Sequence, residues 1–161
     1  MNRGRPIFLQ NNQTFNYYEL QRLKQMLEYS INNRMKTLEI FNNLCNQPPD
    51  EFSNSLLQRL RASDERILSQ LTQLYIDTYG TEPNIIILPE DVYAPTYLDS
   101  VVLALKLKID ALALQRTFVS LLNDGDLGKL LYEEAVITDL EQQNLISTLY
   151  NHYLASYGTK V

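Results

Sequence analysis

Helical periodicity fills this chain in four long stretches and fails in three places, and that alternation limits what it can fold into. Leu27, Ile31, Leu38, Phe41 and Cys45 recur at steps of three, four and seven, the spacing of one face of an α-helix. The stretch stops at Asn46-Gln47-Pro48-Pro49, because proline cannot continue a helix and restricts the residue before it. A second stripe, Leu57, Leu60, Ile67, Leu71 and Leu74, fills residues 50–79, with Gly80 placed as a C-terminal cap. A third stretch opens after Pro95, where Thr96 and Asp99 form a capping pair, and carries Val101, Leu105, Leu112, Val119 and Leu122. Asn123-Asp124-Gly125-Asp126 turns the chain into a fourth stretch, which ends at Tyr157-Gly158. Residues 1–15 are polar and Asn/Gln-rich and read as a flexible N-terminal arm. Residues 16–158 read as one domain.

The three breaks run short, long, short. Short connections make antiparallel neighbours, whereas the long segment 81–95, with Pro83, Pro89 and Pro95 and no helical period, lets the second and third helices run parallel. Within it Ile85-Ile86-Ile87-Leu88 reads as an extended apolar run along the bundle. The fold expected is all-α, an antiparallel four-helix bundle with a long crossover between helices 2 and 3. Helices of about 28–30 residues, ~42–45 Å long, favour a bundle over a globin-like or repeat fold. The chain has only five Gly and six Pro, too few turn formers for an all-β sandwich.

Each stripe is interrupted by charge. Leu27, Ile31, Arg34, Leu38, Phe41 and Cys45 form one seam, and Val101, Leu105, Lys108, Leu112, Gln115, Val119 and Leu122 another. On the fourth stretch Leu127, Leu130, Glu134, Ile137, Glu141 and Leu145 turn two carboxylates inward. On the second, Asp64 lies on the Leu57–Leu71 line with Glu65 beside it. Lone ions cost several kcal/mol each in a core unless paired or metal-bound, so two cations and at least two anions at one level point to mutual neutralisation. Arg34 and Lys108 are 74 residues apart, and Glu65 and Glu141 are 76 apart. The two helix pairs thus repeat one pattern, a cation on the first helix and an acid on the second.

The stretch Ala62-Ser63-Asp64-Glu65-Arg66-Ile67-Leu68-Ser69-Gln70-Leu71, followed by Leu74-Tyr75 and Gly80-Thr81-Glu82-Pro83, resembles the second helix of rubrerythrin-like members of the ferritin-like superfamily. Asp139-Leu140-Glu141-Gln142-Gln143-Asn144-Leu145 is similar to their fourth helix. The resemblance implies a di-iron or di-manganese site, with one Glu from each of the first and third helices and a Glu-x-x-His pair from each of the other two. Four of those positions depart from the pattern. Arg34 and Lys108 stand at the two glutamate positions, and Leu68 and Asn144 at the two histidine positions, leaving Glu65 and Glu141. The expectation is therefore a degenerate site in which Arg34, Lys108, Glu65 and Glu141 form a buried ion-pair cluster, with Leu68 filling space and Asn144 offering an amide. Asp64 and Glu134 are further candidate core acids.

Other chemistry is thinly represented. One histidine, His152, and one cysteine, Cys45, cannot assemble a zinc or haem site of ordinary type. His152 reads as a lone exposed residue and Cys45 as buried and inert. Most of the eleven tyrosines fall at helix ends, including Tyr17, Tyr18, Tyr75, Tyr79, Tyr150, Tyr153 and Tyr157, where they would plug the bundle with their hydroxyls toward water. A net charge of −5, with Arg3 and Arg5 the only basic cluster, argues against a nucleic-acid partner. No apolar run reaches membrane-spanning length and no signal-peptide core follows the first residues, so a soluble, cytoplasmic protein is expected. The sequence and the resemblance together point to a metal-free, non-catalytic ferritin-like module without a cofactor, structural or protein-binding, a homodimer or other homo-oligomer, and of the kind found among small bacterial coat and stress proteins. Two other readings remain open. One is a divergent di-metal oxidase or peroxide scavenger using Glu65, Glu141, Glu134 and Asp64 with Arg34 and Lys108 turned outward. The other is a small-molecule binder with a cavity between its helices.

Overall fold

A computed structural model of the chain describes residues 17–120 and 127–158. Four long helices and one short one make it all-α: α1 (Tyr17–Asn46), α2 (Glu51–Tyr79), α3 (Pro89–Val92), α4 (Tyr97–Ser120) and α5 (Leu127–Tyr157). Among the described residues no helix is long and apolar enough to cross a membrane.

Local chemistry sets the boundaries. Pro48 and Pro49 separate α1 from α2, and Asp50 caps α2 by accepting the Ser53 backbone N–H at 2.8 Å, satisfying one of the donors that a helix start leaves free. Gly80 ends α2 in the left-handed region, φ 71°, and donates its N–H to the Ile76 carbonyl, a conformation that costs glycine nothing. Thr96 and Asp99 cap α4 reciprocally, the Thr96 hydroxyl donating to Asp99 and the Asp99 N–H donating back. The crossover is not wholly irregular. Pro89 sits at the first position of α3, where its missing N–H costs nothing, and Glu90 and Asp91 suit the positive end of that turn. Asn32 donates to the Ile86 carbonyl at 3.1 Å and Lys36 pairs with Asp91 at 3.0 Å, so the crossover is fastened along α1.

The core divides into two apolar clusters. One joins Met26, Leu27 and Ile31 of α1 to Ile67, Leu71 and Tyr75 of α2, Phe118 of α4, and Tyr132 and Ala135 of α5. The other joins Ile40, Phe41 and Leu44 to Leu56, Leu57 and Leu60, Val101 and Ala104, and Ile146 and Leu149. Chain direction follows: α1 and α5 run from the first cluster to the second, α2 and α4 from the second to the first. Helix α1 packs on α2 and α4, and α5 on the same two.

The predicted stripes hold best on α2 and α4. On α1, Leu38 and Cys45 are only half-buried and Thr37, Ile40 and Leu44 are inside instead. Helix α5 is rotated by one residue from the expected phase: Ala135, Thr138, Asp139, Gln142 and Ile146 face inward, and Glu134, Ile137 and Glu141 face out. The arm at 1–15, Leu122, the turn at 123–126 and the side chains of Tyr17, Tyr18, Leu127 and Leu130 lie outside the described residues.

Candidate functional site

Between the two apolar clusters each long helix contributes one ionised side chain, and the four meet. Arg34 comes from α1, Asp64 from α2, Lys108 from α4 and Asp139 from α5, each 1% exposed or less. The Arg34 guanidinium reaches Asp139 with both terminal nitrogens, Nη1 to Oδ1 at 2.6 Å and Nη2 to Oδ2 at 3.1 Å. The same Nη1 lies 2.8 Å from Asp64 Oδ1. The Lys108 ammonium donates to Asp64 Oδ1 at 2.5 Å and lies 3.4 Å from Asp139 Oδ1. Both cations therefore touch both anions, and the formal charges cancel.

Neutral neighbours complete the network. Thr37, one turn beyond Arg34, sets its hydroxyl 2.6 Å from Asp64 Oδ2 and 3.0 Å from the Arg34 carbonyl. Its single proton goes to the nearer, charged acceptor. Gln142, one turn beyond Asp139, donates through Nε2 to Ser63 Oγ at 2.6 Å and to Asp64 Oδ1 at 3.0 Å. Some buried polar atoms stay unmatched: both amide atoms of Gln115, Gln142 Oε1 and Asn33 Oδ1 lack a partner.

Titration follows from this geometry. Burial would lower the Arg34 pKa, but Coulombic attraction from Asp64 and Asp139 outweighs it and the net direction is up. Burial would raise Asp64, but Lys108 and Arg34 hold its carboxyl below the ordinary value. For Lys108, burial and repulsion by Arg34 together exceed the pull of the two carboxylates, so its pKa falls below that of an exposed lysine. These directions describe an interior that tolerates ions only as a balanced set.

The residues expected from the sequence divide accordingly. Arg34, Lys108 and Asp64 come together. Glu65, expected as a cluster acid, faces solvent and pairs with Arg61 across one turn; the inward position is its neighbour Asp64. Glu141 is exposed, and Asp139 takes the inward place, because α5 is turned by about 100° per residue of misphasing. Glu134 is also outside, paired with Arg66. Leu68 is half-buried against the first apolar cluster, and Asn144 is exposed and outside the network. Asp139, Thr37 and Gln142 were missed. Asp64 and Asp139 are 75 residues apart, against 74 for Arg34 and Lys108, a closer match than the glutamates give. Thr37 and Gln142 each follow a charged residue by three positions, on the same helix face.

The donor set does not fit a dinuclear metal centre. Only two carboxylates reach this level, no histidine does, and each carboxylate is already held by a guanidinium and an ammonium. Among the described residues no group of three or more His, Cys, Asp and Glu side chains is placed to hold a metal.

A second polar cluster, also missed, ties the end of α5 to the start of α2. Asp50 Oδ2 lies 2.7 Å from His152 Nε2 and 2.8 Å from the Tyr157 hydroxyl, and the imidazole leans on Phe52 at 4.4 Å between ring centres. His152 is thus half-buried and bonded, not lone and exposed. The Ser53 backbone N–H, His152 and Tyr157 hold the Asp50 carboxyl below the usual range. Cys45 is half-buried rather than fully enclosed, and burial raises its thiol pKa. The tyrosines do gather at helix ends: Tyr75 and Tyr79 pack together at one, Tyr97, Tyr153 and Tyr157 at the other. Among the described residues Tyr29 and Tyr132 lie elsewhere, Tyr132 fully buried beside Phe118, and the hydroxyls of Tyr79 and Tyr97 are buried rather than turned to water. The clefts described lie on the outer surface, the largest, about 660 Å³, between α1 and the crossover.

No family model, no curated protein and no solved structure matches this chain.

Proposed function

We propose that this chain is a ferritin-like antiparallel four-helix bundle acting as a non-catalytic structural or protein-interaction module, with an Arg34–Asp64–Lys108–Asp139 network in place of a di-metal centre. The observation that carries the reading is that both buried cations are within hydrogen-bonding distance of both buried carboxylates. Connectivity supports the ferritin-like part. Helices α2 and α4 run the same way, joined by a crossover fastened along α1, as the long connection in such bundles requires. The charges support the metal-free part, since a divalent ion at this level would face a guanidinium and an ammonium. A divergent oxidase would need Arg34 and Lys108 turned outward, and both are inside. A small-molecule binder would need space between the helices, where the two apolar clusters and the ion network lie.

Metal analysis of untagged protein, expressed with added iron and manganese and desalted without chelator, tests the reading. Less than about a tenth of a metal ion per chain is expected, against about two for an occupied dinuclear centre. Near-stoichiometric metal would overturn it. An Arg34→Glu/Lys108→Glu variant, which restores four inward carboxylates, is expected to take up metal if it folds.

A further inference from the structure

Two helices carry an apolar stripe on the wrong side. On α4, Val102 and Ile109 are 49% and 51% exposed and lie seven residues apart, with exposed Arg116 seven further on. On α5, Ile137 and Leu140 are 59% and 40% exposed, flanked at the same helical spacing by exposed Glu133 and Asn144. Arg116 at the end of one stripe and Glu133 and Ile137 of the other meet at the outer seam between α4 and α5, where with Val119 and Val136 they line one cleft of about 350 Å³. Residues spaced seven apart hold one face of a helix, so Val102 and Ile109 share one face of α4, as Ile137 and Leu140 share one of α5.

Charge on this face leans basic on α4 and acidic on α5, although Asp110 of α4 is also exposed beside Ile109. Lys106 and Arg116 of α4 are basic, while Glu133 and Glu141 of α5 are acidic, and none of the four enters an ion pair among the described residues. Levels along the seam can be counted from the Lys108–Asp139 contact, with α4 and α5 running oppositely. To within about one helical turn, Lys106 then falls near Glu141 and Ile109 near Ile137 and Leu140, and Arg116 and Glu133 line one cleft.

We propose that this face docks a second copy of this chain across a two-fold axis parallel to the helices, with α4 of each copy lying along α5 of the other. Such an axis preserves level and exchanges the two helices. It sets Arg116 against Glu133 and Lys106 against Glu141 of the other copy, and Ile109 against Ile137 and Leu140. Every contact occurs twice, basic helix on acidic helix, with the apolar strips sealed between them. This names the partner of the module proposed above and rests on that reading for its purpose, but not for its geometry. Metal uptake would remove the core reading and leave the mass unchanged; a monomer would do the reverse.

Light scattering and sedimentation equilibrium on the full chain over a concentration series test it. Twice the chain mass of 18.7 kDa is expected. Ile137→Glu places two like charges in the apolar strip and is expected to weaken the dimer ~100-fold or more, with helical circular dichroism unchanged because the residue is exposed. Arg116→Glu and Glu133→Arg are each expected to weaken it ~10-fold, and an equal mixture of the two to restore it, since both symmetry-related pairs again join opposite charges. Chain mass at every concentration, a dimer indifferent to Ile137→Glu, or single variants that mixing fails to rescue would each overturn the proposal.

Discussion

Replacing Lys108 by methionine isolates what the buried network contributes. Methionine keeps most of the apolar stem and removes only the ammonium, so the cavity cost is small. Asp64 retains donors from Arg34, Thr37 and Gln142, and Asp139 retains both Arg34 contacts. What changes is charge: two buried carboxylates are left with one cation. Removing one partner of a buried pair costs about 3–5 kcal/mol, a large share of the ~5–15 kcal/mol that holds a domain together. Urea unfolding at neutral pH, followed by circular dichroism at unchanged m-value, should show that loss. Lowering the pH should shrink it, because one carboxyl can take up a proton and restore neutrality. The full apolar replacement, Arg34→Met, Asp64→Leu, Lys108→Met and Asp139→Leu together, should lie near wild type or exceed it by ~1–4 kcal/mol. There Gln142 keeps Ser63 and the Leu60 carbonyl, and Thr37 turns to the carbonyl of residue 34. A single variant costing less than ~1 kcal/mol, the value for solvated pairs, would refute the argument, as would a quadruple variant no better than the single one.

Two further outcomes follow from the same geometry. Asp64 and Asp50 both hold their protons less tightly in the folded state, so their stabilisation is complete above the unfolded value of about 3.9 and is lost as pH falls through the lower folded values. Unfolding free energy from pH 7 to 2 should show that acid limb, reduced in Asp50→Asn, and a flat profile would contradict it. Gln115→Met should stabilise by ~1 kcal/mol or more, because both buried amide atoms lack partners; a loss in melting temperature would show that the amide is satisfied.

How far the sequence could be read depended on contrast. Arg34 and Lys108 stand out because their neighbours at three and four positions are mostly apolar, and each rides on a stripe whose inner side is the more hydrophobic. Proline and glycine at 48–49, 80 and 95 marked the ends of the long helices for reasons that hold before any tertiary contact forms. Asp64 lies on the Leu57–Leu71 line and is buried, whereas Glu65 matched the ligand position of the family resemblance rather than the inner helix face. The short helix α3 has too few residues to show a period at all. Pairings such as Asp50 with His152, 102 residues apart, leave no mark on local pattern.

Helix α5 was misphased for a different reason, and that reason carries information. Its inward positions include Ala135, Thr138, Asp139 and Gln142, small or polar, while Ile137 and Leu140 point to solvent. A reading that turns the most apolar strip inward must therefore rotate this helix the wrong way, and must take Glu141 inside with it. A helix that buries Ile146 and Leu149 but leaves Ile137 and Leu140 outside has two faces to satisfy. The inner one is built around the ion network, where Asp139 meets Arg34 and small residues leave room for a guanidinium. The outer one has no partner among the described residues, and exposed aliphatic side chains grouped on one face mark contact surfaces. On the docking proposed above, the misreading of α5 and its outer apolar residues have one cause: the apolar pattern records two neighbours, of which the described residues supply one.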